Sequence, residues 1–224
     1  MSRFKRLQVL RTFMETGIVP LFYNADAEIV KSVVKACYKG GARVFEFTNR
    51  GDCAHNVFDE VNRWCASECP EMIMGVGSVC DSATAALYIQ LGAGFIVSPS
   101  LNPDMAKVCN RRKIAWIPGC GTLSEINNAE ELGCEIVKIF PGSEVGGPSF
   151  VKAIKGPCPW SEIMPSGGVA PNPESLESWF QAGVACVGLG SQLTPKDVIE
   201  SRNFGFIEEK VRESVEFVRN YKKR

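Results

Sequence analysis

A lysine stands in the middle of Glu135-Ile136-Val137-Lys138-Ile139-Phe140-Pro141, a run that otherwise reads as a short strand buried on both faces. Burying an ammonium costs several kcal/mol or more unless the charge is paired, so a buried lysine tends to lose its proton instead. A neutral amine on a rigid strand is a nucleophile suited to forming a Schiff base with a carbonyl. The alternative is a strand-end lysine whose head snorkels to solvent.

A second unusual run is Arg43-Val44-Phe45-Glu46-Phe47-Thr48-Asn49-Arg50. Alternation along a strand puts Phe45 and Phe47 on one face and Glu46, Thr48 and Arg50 on the other. A glutamate, a threonine and an arginine make a poor apolar core, so this face reads either as a reactive surface or as a structural Glu–Arg pair. The same parity puts Ile136, Lys138 and Phe140 on one face of the lysine strand, with Phe140 supplying apolar wall. An apolar surround lowers a lysine pKa and a nearby carboxylate raises it, so the two effects on Lys138 oppose each other.

Glycines and serines follow two later apolar runs, in Met164-Pro165-Ser166-Gly167-Gly168-Val169 and in Val187-Gly188-Leu189-Gly190-Ser191. Such loops let backbone amides approach an anion closely, and the serine hydroxyls add donors. The bland reading is ordinary turn glycines. Smaller rims end other runs: Gly75-Val76-Gly77-Ser78, Ser98-Pro99-Ser100 and Pro118-Gly119-Cys120-Gly121-Thr122. The single histidine, His55, reads as a surface or rim residue.

These residues need a scaffold that brings strand ends together. Strands are expected to begin near Ile18, Ala42, Met72, Gly94, Ile114, Glu135, Ser161 and Ala185, with a helical pattern after each of the first seven. Pro20 marks an irregularity or an unpaired edge in the first strand. Helices are expected over 3–16, closed by Gly17, and over 26–38, closed by Gly40-Gly41. Glycine recurs just before later strands at Gly92, Gly133 and Gly183. Thr122-x-x-Glu125 reads as a capping box, and Thr194-Pro195 as a cap and first turn. A charged amphipathic helix is expected over 206–221. Eight strand–helix alternations in one domain spanning 1–224 point to an α/β protein of the (β/α)8 TIM-barrel type, with an N-terminal and a C-terminal helix. An open doubly wound sheet is the alternative. In a barrel, chemistry gathers at the C-terminal ends of strands, and the loops after strands seven and eight commonly cradle phosphate.

Composition narrows the function classes. The 224 residues carry 25 basic and 25 acidic side chains, so the chain has no electrostatic footprint for nucleic acid or an anionic membrane. No apolar run approaches a membrane span, and no secretory signal is expected. Ten cysteines without a Cys-x-x-Cys pair, in a chain that is 45% hydrophobic, read as reduced thiols in a cytoplasmic protein, with Cys65 and Cys69 at buried helix positions. No metal-ligand spacing is laid out, so neither a metal nor another cofactor is expected.

Seven short motifs in order carry a resemblance to the 2-dehydro-3-deoxy-6-phosphogluconate aldolase / 4-hydroxy-2-oxoglutarate aldolase family of class I aldolases. They are residues 40–50, 75–79, 98–100, 118–122, 138–141, 165–169 and 188–191, within a likeness running from about Ile18 to Leu193. The resemblance implies Lys138 as the Schiff-base lysine and Glu46 as the proton shuttle. It implies Arg50, with Thr48 and Ser78, for the substrate carboxylate. Ser166, Gly167, Gly168, Gly190 and Ser191 would hold a phosphate, with Pro118 and Phe140 as pocket wall. The implied ligands are pyruvate and a phosphorylated 2-keto-3-deoxy sugar acid, and the implied assembly is a homotrimer. The sequence departs from the family's pattern at Asn49, where an aliphatic residue is common, at Ser78, where threonine is, and at Gly142-Ser143. An aldolase for the phosphogalactonate epimer, a phosphate-binding isomerase or synthase without an imine, and a catalytically silent barrel stay open.

Overall fold

The computed structural model describes residues 2–223. The chain opens with α1 (Arg6–Thr16), β1 (Ile18–Phe22), α2 (Ala27–Lys39), β2 (Val44–Thr48), α3 (Ala54–Glu68) and β3 (Ile73–Gly77). It continues through α4 (Ser82–Gln90), β4 (Phe95–Val97), α5 (Pro103–Arg112), β5 (Ala115–Ile117), β6 (Gly119–Cys120) and α6 (Leu123–Glu131). It ends with β7 (Val137–Ile139), α7 (Gly147–Lys155), β8 (Ile163–Pro165), α8 (Pro173–Gln181), β9 (Val187–Leu189), α9 (Lys196–Glu200) and α10 (Phe204–Tyr221). Each of the eight expected strand positions is occupied, and α9 and α10 supply helices after the last.

The chain is an α/β protein with parallel, curled strands. Pairing falls into a six-stranded sheet, β5-β4-β3-β2-β1-β9, and a three-stranded sheet, β6-β7-β8. The expectation of eight strands in one closed sheet is therefore met only in part. The fifth expected strand is two pieces, because Pro118 lies between β5 and β6 and has no N–H to give a ladder. At the other seam, the Ala185 N–H donates to the Ile163 carbonyl at 2.9 Å, and Ser166 bridges to Gly188.

Two further expectations are corrected. Of the two readings of Pro20, the irregularity holds and the edge strand does not: β1 lies between β2 and β9, with Pro20 opposite Leu189 and pairing to β2 beginning only at Leu21. Thr194 does not cap α9. Pro195 holds the cap position, and the Thr194 hydroxyl turns back to the Gly190 carbonyl at 3.4 Å. The Thr122 cap is present, accepting from the Glu125 N–H, while the Glu125 carboxylate accepts from the Gly121 N–H at 2.9 Å. The glycines before later strands do adopt positive φ, at Gly92, Gly133 and Gly183.

The strand parity separates two apolar layers. Phe45, Phe47, Val137 and Ile139 face outward into the cluster formed with the helices. Val19, Val44, Ile73, Phe95, Ile117, Ile136 and Met164 face inward, and Val9, Leu10 and Phe13 of α1 join them. Gly17 ends α1 at φ 71, which a side chain would resist, and returns the chain at once into β1. The helix thereby plugs the interior, with the Phe13 ring edge-on to Phe95 at 4.8 Å. Water is excluded from the end of the strands opposite the polar residues. Removing the plug's central ring in Phe13→Ala should cost about 3–5 kcal/mol of unfolding free energy, read by urea denaturation. A loss below about 1 kcal/mol would mean that α1 is not part of the cooperative core.

Candidate active site

The inward face of β2 carries Glu46 and Thr48, and that of β7 carries Lys138. Their backbones are held by ladders on both sides. Glu46 lies opposite Leu21 and Gly75, and Lys138 opposite Gly119 and Met164. The Lys138 N–H also donates to the Pro118 carbonyl at 2.9 Å. Lys138 is 5% exposed and Glu46 is 1% exposed, so the snorkelling alternative for Lys138 fails. Glu46 Oε2 is buried with no hydrogen-bond partner. A carboxylate oxygen left bare in this way is expensive in a structural residue.

Gly77 explains how the carboxylate fits. A Cβ added there would collide with the Glu46 carboxyl group, so the glycine opens the space that the acid occupies. Sequence reading registered Gly77 only as part of a small-residue rim. Nothing in its local pattern points across the ladder to Glu46.

Electrostatics follow from burial. Desolvation pushes the Lys138 amine below the ordinary lysine value of 10.5, with the Glu46 carboxylate pulling it back up and Arg50 lowering it further. Burial pushes the Glu46 carboxyl above 4.5, against the lowering pull of Lys138 and Arg50. Burial thus outweighs mutual attraction on both groups. The result is an amine and an acid that exchange protons more readily than their exposed counterparts.

A cavity of about 340 Å³ is lined by Thr48, Arg50 and Phe140 together with Ser166, Gly167, Gly168, Gly190 and Ser191. Phe140 links it to the buried pair: the residue borders the cavity, and its ring centroid lies 4.7 Å from Lys138 Nζ. The 166–168 loop is stitched to the turn after the lysine strand: Gly142 N–H donates to the Ser166 carbonyl at 2.8 Å, and Ser143 N–H to that of Gly167 at 3.2 Å. Among the described residues, the N–H groups of Gly167, Gly168, Gly190 and Ser191 donate to no other backbone group. They are available to an anion.

The structure does not bring every expected residue to this cavity. Lys138 and Glu46 lie buried beneath Phe140 and Thr48 and are not themselves among the residues lining it; nor are Ser78, at φ 57 just past β3, and Pro118, buried at the break between β5 and β6. His55 lies at the start of α3, also outside it. Tyr23, Gln192 and Thr194 do line it and were not singled out from sequence. Tyr23 follows β1 directly, so its place at a strand's C-terminal end was the available signal. Among the described residues no three His, Cys, Asp or Glu side chains gather as a metal site.

The family model described as KDPG and KHG aldolase matches residues 9–210. This chain belongs to that family. It is 33% identical over 203 residues to the 2-dehydro-3-deoxy-phosphogluconate aldolase of Pseudoalteromonas atlantica, covering 91% of this chain and 92% of that protein. It is also 33% identical over 206 residues to the KHG/KDPG aldolase of Escherichia coli, covering 92% of this chain and 94% of that one. Among solved structures it resembles a KDPG aldolase from Legionella pneumophila in which pyruvate was captured at low pH as a covalent carbinolamine intermediate. That likeness has a TM-score of 0.81 at 26% identity, over 90% of this chain and 95% of the other.

For this member of the KDPG and KHG aldolase family, the charge arrangement makes a direct prediction. Competitive acylation of Lys138 across a pH series, read by peptide mass spectrometry, should titrate below 10.5. In Glu46→Gln the midpoint should fall further, because the carboxylate that favours the ammonium is gone. A midpoint at or above the ordinary value, or one that rises in Glu46→Gln, would contradict the assignment of burial as the dominant effect.

Proposed function

We propose that this protein is a class I aldolase that cleaves 2-dehydro-3-deoxy-6-phosphogluconate to pyruvate and glyceraldehyde 3-phosphate. It would also act on 4-hydroxy-2-oxoglutarate, giving pyruvate and glyoxylate. The observation that carries this reading is the buried amine of Lys138, its pKa lowered, coupled electrostatically to the unpartnered Glu46 carboxyl group. Family membership supplies the substrate class, and the named activities of the Pseudoalteromonas and Escherichia relatives agree with it.

The proposed steps use only this chain's groups. The Lys138 amine adds to the C2 carbonyl, giving a carbinolamine. The Glu46 carboxyl group protonates the departing hydroxyl, and water leaves an iminium. The Glu46 carboxylate then takes the C4 hydroxyl proton. The C3–C4 bond breaks, its electron pair passes into the iminium to form an enamine, and the aldehyde departs. Glu46 returns the proton to C3, and water hydrolyses the pyruvyl iminium to pyruvate and free lysine. A positioned acid–base group of this kind contributes about 10²–10⁴-fold.

Binding roles follow from position. Arg50 offers a two-pronged guanidinium to the substrate carboxylate, with Thr48 beside it. The amides of Gly167, Gly168, Gly190 and Ser191, with the hydroxyls of Ser166 and Ser191, would hold the phosphate; their place in the lining of the cavity that Arg50 also lines supports this. Ser78 is retained as a second contact to the carboxylate end, and Phe140 and Pro118 as apolar support for the lysine. The scaffold is read as a closed (β/α)8 barrel whose seams lie at Pro118 and between β8 and β9. A homotrimer and a cytoplasmic setting accompany the reading, the first on family resemblance and the second on ten free cysteines.

Ser191→Asp tests the two-ended site. A like charge against the phosphate should raise KM for the phosphorylated substrate by roughly tenfold or more, while KM for 4-hydroxy-2-oxoglutarate should change by less than about threefold. The readout is pyruvate release in a coupled assay on both substrates. Equal losses on the two would remove the phosphate assignment.

A further inference from the structure

Arg50 reaches the cavity from the loop just after β2, and its guanidinium makes no hydrogen bond or ion pair with another described residue. Its aim therefore rests on the backbone of Asn49-Arg50-Gly51. That backbone is tied to the sheet by the Asn49 N–H, which donates to the Gly77 carbonyl at 2.8 Å, and is tightened by the Arg50 N–H donating to the Thr48 carbonyl at 2.9 Å. Two side-chain contacts act on either side of Arg50. Continued strand alternation turns Asn49 away from the cavity, towards the helices, where the Tyr88 hydroxyl of α4 donates to Asn49 Oδ1 at 2.7 Å. Tyr88 is 1% exposed, so its hydroxyl would be left unpaired in the core if Asn49 moved. On the other side, Gly51 has φ 154, and a Cβ there would collide with the Tyr23 hydroxyl, so the Tyr23 phenol lies directly against the Gly51 backbone.

The two tyrosines are braced by the same core. Tyr23 packs edge-on to Phe47 at 5.6 Å, Phe47 on Phe58 at 5.9 Å, and Phe58 edge-on to Tyr88 at 5.4 Å. Asn49, where the family pattern commonly has an aliphatic residue, is thus an anchor facing the helices and does not line the cavity. We propose that the Tyr88–Asn49 hydrogen bond, with Tyr23 seated on Gly51, is a positioning device that aims Arg50 at the substrate carboxylate. The proposal rests on the reading of Arg50 as the carboxylate-binding residue. Tyr88 and Asn49 are positioning residues in it, since neither lines the cavity. Burial, with Tyr23 adding to it, pushes the Tyr88 hydroxyl up to about 12, so it stays a neutral donor across the working pH range.

The decisive variant is Tyr88→Phe, which removes one oxygen and keeps the ring. Pyruvate affinity, measured by calorimetry, should weaken by roughly three- to tenfold, the same across neutral and mildly alkaline pH. Affinity for inorganic phosphate, assigned above to the glycine and serine loops after β8 and β9, should change by less than about twofold, and kcat at saturating substrate should hold. Asn49→Leu should reproduce the pyruvate loss, and the double variant should be no worse than either single change. In an Arg50→Lys background, Tyr88→Phe should have no further effect on pyruvate. If Arg50→Lys weakens pyruvate binding but Tyr88→Phe does not, the positioning device is wrong and the role of Arg50 stands. If Arg50→Lys itself leaves pyruvate affinity unchanged, the reading of Arg50 fails and the device with it. Equal losses of phosphate and pyruvate affinity in Tyr88→Phe would mark a general packing role and overturn the proposal.

Discussion

A lysine amine held out of water, with a carboxyl group as its buried charged neighbour, is the constraint on which the rest of this structure depends. Burial disfavours charge on both groups, and their attraction offsets only part of that cost. Glu46 Oε2 lacks a hydrogen bond, and the Lys138 amine lies over the ring of Phe140, which also borders the cavity. Such an arrangement lowers stability relative to an apolar pair. What it provides is an amine that gives up its proton more easily than an exposed lysine, beside a carboxyl group that holds its proton more tightly, both midway along inward-facing parallel strands.

Several features make sense only as support for that pair. The plug of α1 fills the interior at the end of the strands away from the cavity, with Val9, Leu10 and Phe13 in the inward-facing apolar cluster. Gly77 gives up a side chain so that the Glu46 carboxyl group can lie over β3. The turn after β7 is stitched to the 166–168 loop, which couples the position of Phe140 to the glycine and serine lining of the cavity. Glu46, Thr48 and Arg50 come from β2 and the residues just after it, while the glycine and serine loops follow β8 and β9.

Much of this was legible in the sequence because strands impose a period of two. Placing Lys138 inward also placed Ile136 inward and Val137 outward, and the two apolar clusters divide in that way. The same rule separated Glu46 and Thr48 from Phe45 and Phe47. Tertiary relations were less legible. Pro20 reads locally as an edge signal, yet it sits in an interior strand where pairing to β2 starts one residue later. Pro118 breaks the fifth strand into two pieces that join different sheets, which an apolar run does not reveal. Asn49 stands among candidate site residues in its motif, yet its side chain turns to Tyr88, 39 residues further along the chain, a contact no local pattern encodes.

The central claim is that Lys138 forms a covalent imine with the keto acid. Incubating the protein with pyruvate and borohydride, then weighing the intact chain and its peptides, tests it most directly. The account predicts one reduced pyruvyl group per chain, located at Lys138, with loss of activity in proportion and no trapping in a folded Lys138→Met variant. An active protein that traps nothing, or traps pyruvate at a different lysine, would contradict it.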